Sequence, residues 1–232
     1  MSYILEAKNL NKSYFKKKAL NNLNLSIEKG RAVGMLGPNG SGKTTLIKIA
    51  AGILRQSSGE ILIDNHEPGV YTKSVISYLP DRNYLPKWMK VEDAINYFND
   101  FYGDFDKNRA CELLDFMKLE RGMKVTSLSK GMTEKLHLTL VLSRKAKLYI
   151  LDEPIAGVDP VARDKILDAI INNYNEDSSM LITTHLVRDI ERVFDDVVFI
   201  NNGEVILSGN AEALREEKNK SIDELYKEVF GE

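Results

Sequence analysis

The chain has 232 residues, 43% of them hydrophobic, and a formal net charge of −2 from 32 Lys+Arg against 34 Asp+Glu. This size and composition suit one large domain, or a core with an inserted lobe, and the charge balance excludes a strong electrostatic draw to bulk nucleic acid. One cysteine, Cys111, excludes an internal disulfide and reads as a buried apolar filler.

The N-terminus, Met1-Ser2-Tyr3-Ile4-Leu5, lacks the basic-then-apolar layout of a signal peptide, and no apolar run reaches bilayer length. The expectation is a soluble, cytoplasmic chain whose membrane role comes through a partner. Residues 3–10 alternate loosely, with Ile4, Leu5, Ala7 and Leu10 apolar, and suggest an edge strand. Lys12-Ser13-Tyr14-Phe15 follows, then a basic run, Lys16 to Lys18, read as a solvated loop. Tyr14 either packs or stacks on a base, since any purine offers a π face. Leu23 to Ile27 alternates better and ends at the Lys29-Gly30 turn.

Ala32 to Leu36 reads as a buried strand, and Leu46, Ile49, Ala50 and Ile53 fall at helical spacing. Between them lies Gly37-Pro38-Asn39-Gly40-Ser41-Gly42-Lys43-Thr44-Thr45, which satisfies the phosphate-loop pattern G-x-x-x-x-G-K-[ST]. The glycines allow a tight turn whose N–H groups face one concavity, and the helix adds the positive end of its dipole. Lys43 can meet the β and γ phosphates, Thr44 a Mg²⁺, and Thr45 the α phosphate.

Ser57-Ser58-Gly59 reads as a turn, Glu60 to Asp64 as a short strand, and residues 65–69 as a polar turn with His66 at the surface. Val75 to Leu79 is a strand stopped by Pro80-Asp81. Residues 86–146 change character. Val91, Ile95 and Phe98, then Leu113, Leu114 and Met117, sit at helical spacing, and Tyr97, Phe98, Phe101, Tyr102 and Phe105 make the stretch aromatic-rich. This is a helical lobe inserted into an α/β core. Its aromatics are core where buried and a docking surface where exposed. Ser129 is placed to cap a long helix with apolar Met132, Leu136, Leu140 and Val141. His137 in that helix reads as a polar-face or satisfied histidine.

Lys147 to Leu151 is a continuous apolar strand of the buried parallel type, ending in Asp152-Glu153-Pro154. An acidic pair at a strand's carboxyl end is costly to bury without a cation, and Mg²⁺ held by Thr44 and Asp152 resolves that cost. Glu153, one residue on, can orient or deprotonate water. Ala156 to Pro160 is a turn into a helix carrying Val161, Ile166, Leu167 and Ile170. Met180 to Thr184 is a buried strand ending at His185, which either bonds a γ phosphate or closes a surface turn. Asn201-Asn202-Gly203 joins a hairpin. Residues 211–232 read as two short surface helices, the second with a Ser221–Glu224 capping box.

Taken together, residues 3 to about 210 resemble the nucleotide-binding subunit of an ABC transporter, of bacterial export type. Leu128-Ser129-Lys130-Gly131-Met132 is similar to the family signature, Leu148 to Glu153 to the Walker B strand with its catalytic glutamate, Ala156 to Asp159 to the D-loop, His185 to the switch histidine and Tyr14 to the adenine-stacking aromatic. The resemblance implies a phosphate-loop ATPase fold: a mainly parallel sheet, an N-terminal antiparallel β region and the helical lobe. It divides the chain into a RecA-like core (about 1–85 and 147–210), a lobe (about 86–146) and C-terminal helices (about 211–232).

The implied chemistry is hydrolysis of ATP with Mg²⁺. Glu153, His185 and Lys43 would be catalytic, and residues 37–45 with Tyr14 would bind the nucleotide. Thr44, Asp81 and Asp152 would hold the metal, while Ser129, Lys130, Gly131 and Asp159 would close over the nucleotide of a second ATPase subunit, identical or not. A separate multi-span transmembrane subunit would carry cargo, most simply by export, with the chain peripheral on the inner face of the membrane. No nucleic acid partner is expected. Three positions depart from the family: Asp81 replaces glutamine, Lys130 the first signature glycine, and Met132 the signature glutamine. Lys130 either adds charge near the partner's phosphates or points to solvent. The competing readings are a soluble regulatory ATPase acting on ribosomes or DNA, and a phosphate-loop kinase, which would not explain Ser129 to Gly131 or His185.

Overall fold

The structure is a computed structural model that describes residues 2–15, 17–173 and 177–231, without the side chains of Val161 and Asn173. In chain order it runs β1 (Tyr3–Tyr14), β2 (Lys17–Glu28), β3 (Ala32–Leu36), α1 (Lys43–Ala50), β4 (Ser58–Ile63), α2 (Val70–Val75) and β5 (Ile76–Leu79). Then come α3 (Val91–Phe101), α4 (Lys107–Met117), α5 (Lys130–Leu142), β6 (Leu148–Asp152), α6 (Pro160–Asn173) and β7 (Ser179–Thr184). The chain ends with α7 (Val187–Ile190), β8 (Asp196–Asn201), β9 (Glu204–Asn210), α8 (Ala211–Lys218) and α9 (Ile222–Phe230).

Two sheets form. An antiparallel sheet has the order β2-β1-β4, and a six-stranded sheet the order β5-β6-β7-β3-β8-β9. The latter is parallel except for β9, which pairs antiparallel with β8. Strand alternation sorts its side chains between two cores. Val33, Met35, Leu148, Ile150, Leu181, Val198 and Ile200 face the antiparallel sheet and α1. Leu36, Tyr149, Leu151, Met180, Ile182, Val197 and Phe199 face the helices on the other side. Gly34 belongs to this second parity, and a Cβ there would lie 2.5 Å from the Phe194 ring.

Helices α3, α4 and α5 make the lobe, burying Val91, Ile95, Phe98, Leu113, Leu114 and Met117 as their spacing predicts. Arg144, just past α5, joins lobe to sheet. Its guanidinium makes a bidentate pair with Asp104 at 3.0 Å, donates to Ile76 O at 2.6 Å and Ser74 O at 2.8 Å, and lies 4.1 Å over the Tyr102 ring.

Several local expectations change. β1 is the central strand of its sheet, not an edge, because β2 pairs on one side and β4 on the other; alternation looks the same in both cases. Lys17 and Lys18 open β2 instead of lying in a loop, although they stay exposed; Lys16 is outside the described residues. The edges are β2 and β4, and exposed Lys17 and Lys18 on β2 discourage further pairing there. Ser58 and Gly59 begin β4 rather than ending a turn. Cys111 is half-buried. His137 is fully buried, because α5 is covered almost all round and has no broad polar face at that position. The C-terminal helix is not merely superficial: Ile222, Leu225 and Tyr226 enter the core. Its Ser221–Glu224 capping box forms as read.

Candidate active site

The loop between β3 and α1 is shaped by two glycines that no other residue can replace without strain. Gly42, the N-cap of α1, has φ 116°, and a Cβ there would lie 2.7 Å from Ala19 O. Gly37 passes so close to β8 that a Cβ would lie 2.2 Å from Ile200 O. Lys43 is only 7% exposed, and its Nζ arches back to donate to Gly37 O at 2.6 Å and Pro38 O at 3.1 Å. Burial lowers its pKa, with Glu153 and Asp152 opposing the shift. Ser41 Oγ is buried with no partner among the described residues. Thr44 is exposed and Thr45 half-buried in the first turn of α1.

Across the cleft, β6 buries all five residues and ends at Asp152, 3% exposed, whose Oδ1 accepts from Thr183 Oγ1 at 2.7 Å. Burial pushes the Asp152 carboxyl up. The Thr183 bond opposes this, and Asp81 and Glu153 push it further. A buried carboxyl beside like charges is a place where a cation is favoured.

Glu153 has φ 55°, in the left-handed region, and its N–H donates to Thr183 O at 3.0 Å. A non-glycine residue held there is characteristic of functional turns. The turn brings Glu153 Oε2 to 2.9 Å from His185 Nδ1, and the same oxygen accepts from the His185 N–H at 3.3 Å. A carboxylate only accepts, so the Nδ1 in this contact carries the proton.

A cavity of about 310 Å³ joins these parts. It is lined by Tyr14, residues 39–45, Asp81, Asp152 and Glu153. Lys17 and Ala19 also line it; both were missed, Lys17 because a basic run reads equally well as solvated surface. Tyr14 is half-exposed with Lys12 Nζ 5.3 Å from its ring centroid. Thr44, Asp81 and Asp152 offer oxygen donors only, the chemistry that suits Mg²⁺. Among the described residues no three His, Cys, Asp or Glu are grouped so as to hold a metal ion by themselves.

Ser129, Lys130, Gly131, Asp159 and His185 do not line this cavity. Ser129 caps α5, accepting from Met132 N–H at 3.2 Å. Asp159 caps α6, accepting from Ala162 N–H at 3.0 Å. The two caps adjoin: a Cβ on Gly131 would lie 3.6 Å from Asp159 Oδ2. Lys130 is exposed, in keeping with the solvent-facing reading, but its side chain is not free in solution. Its Nζ lies over Gly157, 2.1 Å from where a Cβ would be, so the signature lysine packs on the D-loop of its own chain. A larger cavity, about 460 Å³, lies between β5 and the lobe, with Ile53, Tyr78, Tyr84, Phe98 and Tyr102 in its walls.

A buried strand, a glycine loop, a helix opening with Lys and Thr, and an acidic pair across the cavity define a phosphate-loop nucleotide-binding ATPase. The ABC transporter family profile matches residues 20–156. The lantibiotic transport ATP-binding protein SrtF of Streptococcus pyogenes is 31% identical over 96% of both chains. The linearmycin resistance ATP-binding protein LnrL of Bacillus subtilis is 31% identical over 89% of this chain and 69% of its own length. A solved ATP-binding subunit of an ABC transporter superposes with a TM-score of 0.88 at 27% identity, covering 97% of this chain and 99% of that one. The chain belongs to the ABC transporter family, as an ATP-binding subunit that hydrolyses ATP.

Proposed function

We propose that this chain drives export through a separate multi-span membrane subunit, working as one half of an ATP-closed pair. The observation that carries the chemistry is the cavity that sets Lys43 and Thr44 opposite Asp152 and Glu153. Residues 37–45 hold the phosphates through backbone N–H groups, Lys43 meets the β and γ phosphates, and Tyr14 stacks on the adenine. Thr44, Asp152 and Asp81 hold Mg²⁺, which when bound neutralises charge developing on the phosphates. Glu153 orients and deprotonates the attacking water, and His185, held by Glu153, reaches the γ phosphate.

Ser129, Gly131 and Asp159 stand outside the cavity of their own chain, which supports their acting on the nucleotide of a second subunit. Lys130, packed on Gly157, fixes the signature turn to the D-loop, so the two move as one piece in that closure. The lobe, about residues 86–146, offers the face for the membrane subunit. Tyr84 in the wall of the larger cavity, Trp88 just before α3, and Tyr97 and Phe101 on α3 are exposed, a set of apolar rings suited to an apolar helix. Among the described residues no helix is long and apolar enough to cross a membrane. The relatives named for linearmycin resistance and lantibiotic transport support export over import.

The test is a pull-down of tagged chain from detergent-solubilised cells, with mass spectrometry of co-eluting proteins. A stoichiometric multi-span membrane protein is the expected result. Ribosomal proteins or nucleic acid, with the tagged chain absent from membranes, would overturn the reading.

A further inference from the structure

Helix α5 carries a polar group that the ATP chemistry does not use. His137 is 0% exposed, and burial pushes its pKa down to about 4, so at neutral pH it is uncharged with one N–H. Its Nε2 lies 3.1 Å from Asn83 Oδ1. That oxygen already accepts from Leu85 N–H at 2.9 Å, so it is an acceptor and His137 Nε2 is the donor. His137 Nδ1 is buried with no partner among the described residues. An apolar side chain of similar size would avoid that uncompensated atom, so packing alone does not account for a histidine here.

The same ring stacks on Tyr84, centroids 4.6 Å apart and planes 18° apart. Tyr84 is also in the wall of the larger cavity and 6.3 Å from Phe98 of α3. Asn83 and Tyr84 lie on the segment that leaves β5 and carries Asp81 into the ATP cavity. One helical-lobe residue therefore grips the two residues that follow Asp81 and Arg82, by a hydrogen bond and by a stack.

We propose that His137 is a positioning residue which, through Asn83 and Tyr84, sets where Asp81 stands relative to Thr44 and Asp152. This rests on the metal role given to Asp81 above. The arrangement ties the seat of the lobe, and the ring facing the docking cavity, to the third oxygen donor of the Mg²⁺ site. A displaced lobe would carry Asp81 with it, while the phosphate loop, built on β3 and α1, stays in place.

The test uses the full-length chain and measures affinity for a fluorescent ATP analogue with Mg²⁺ and with EDTA. His137→Phe keeps an aromatic ring for the stack at a slightly larger volume, and removes the hydrogen bond together with the unpartnered Nδ1. The expected result is an EDTA affinity within about twofold of wild type and a Mg²⁺-dependent gain in affinity reduced about fivefold, the scale of one hydrogen bond. Asn83→Ala should match it, the double variant should lose no more than either single one, and His137→Gln, which restores a donor, should recover most of the gain. If Asp81→Ala abolishes the Mg²⁺ gain while His137→Phe and Asn83→Ala keep it, the positioning role is wrong. If Asp81→Ala itself keeps the full gain, the metal role of Asp81 fails and this proposal with it. Should His137→Phe not fold, Asn83→Ala decides alone.

Discussion

Glu153 Oε2 takes two hydrogen bonds from His185, one from Nδ1 at 2.9 Å and one from the backbone N–H at 3.3 Å. The side chains proposed as base and γ-phosphate sensor are thus one unit, assembled from the ends of two adjacent parallel strands. Glu153→Gln keeps the size and one acceptor but removes the charge. It should still bind ATP with near wild-type affinity while kcat falls about 10²- to 10⁴-fold. Steady-state phosphate release beside nucleotide titration reads both. Unchanged turnover would remove Glu153 from the base role.

Tyr14 lines the ATP cavity beside the phosphate loop. Tyr14→Ala should weaken ATP binding by about 1–3 kcal/mol, the worth of one base–aromatic stack, and Tyr14→Phe should restore it. Equal affinity for all three proteins in a direct titration would place the adenine elsewhere.

Arg144 ties the lobe to β5 through Asp104, Ile76 O and Ser74 O. Its side chain is 4% exposed, so Arg144→Ala strands a half-buried carboxylate and two backbone carbonyls. The expected loss is about 3–5 kcal/mol of folding stability, read from urea denaturation. A loss no larger than that of a surface substitution would show that the lobe is held by other contacts.

His137 also links stability to pH. Its folded pKa is about 4 against an ordinary value of 6.5, so the unfolded chain binds the proton more readily. The contribution is complete above about pH 6.5 and is lost as pH falls toward 4, amounting to about 3 kcal/mol. Asn83 and Tyr84 face the ring, and Glu134 lies one turn earlier on α5. The Glu134 carboxyl is pushed up to about 7 by burial, an effect opposed by Lys130 and increased by Asp81, so it acts in the opposite sense as pH falls. Glu134 is shared by wild type and His137→Phe. The difference in stability between them should therefore swing toward the variant by about 3 kcal/mol between pH 6.5 and 4, and a difference independent of pH would contradict the burial argument.

The acidic limit of the fold should also depend on Asp64. Burial alone would raise its carboxyl, but bonds from Lys147 Nζ at 2.7 Å, Lys29 Nζ at 2.5 Å and Tyr71 OH at 2.5 Å outweigh that and hold it well below the usual carboxylate range. Its contribution is present above the ordinary carboxyl pKa and disappears as pH falls through the depressed value. Asp64→Asn should be less stable than wild type at pH 7, and the gap should narrow in acid denaturation. A constant gap would mean the carboxylate charge is not what matters.

The local features behind the proposed nucleotide site and its capping turns were readable one after another because their chemistry is local. A phosphate loop is a short run of backbone whose glycines and following helix face one concavity, and residues 37–45 spell it out. Asp152-Glu153 could be read because an acidic pair ending a wholly apolar strand is costly without a cation, and Ser129 because an N-cap bonds its own helix. What tertiary structure alone decided are contacts between residues far apart in the chain. Alternation in β1 cannot say how many strands pair with it. The spacing of α5 cannot say that His137 is buried, because that helix is covered on nearly every side. Nothing near Lys130 in sequence points to Gly157, and nothing near Arg144 points to the carbonyls of Ser74 and Ile76, since each contact arises only when the lobe docks on the core. Local geometry determined the phosphate-loop turn and the acidic strand end; long-range packing determined which strands pair, what α5 buries and how the lobe is held on the sheet.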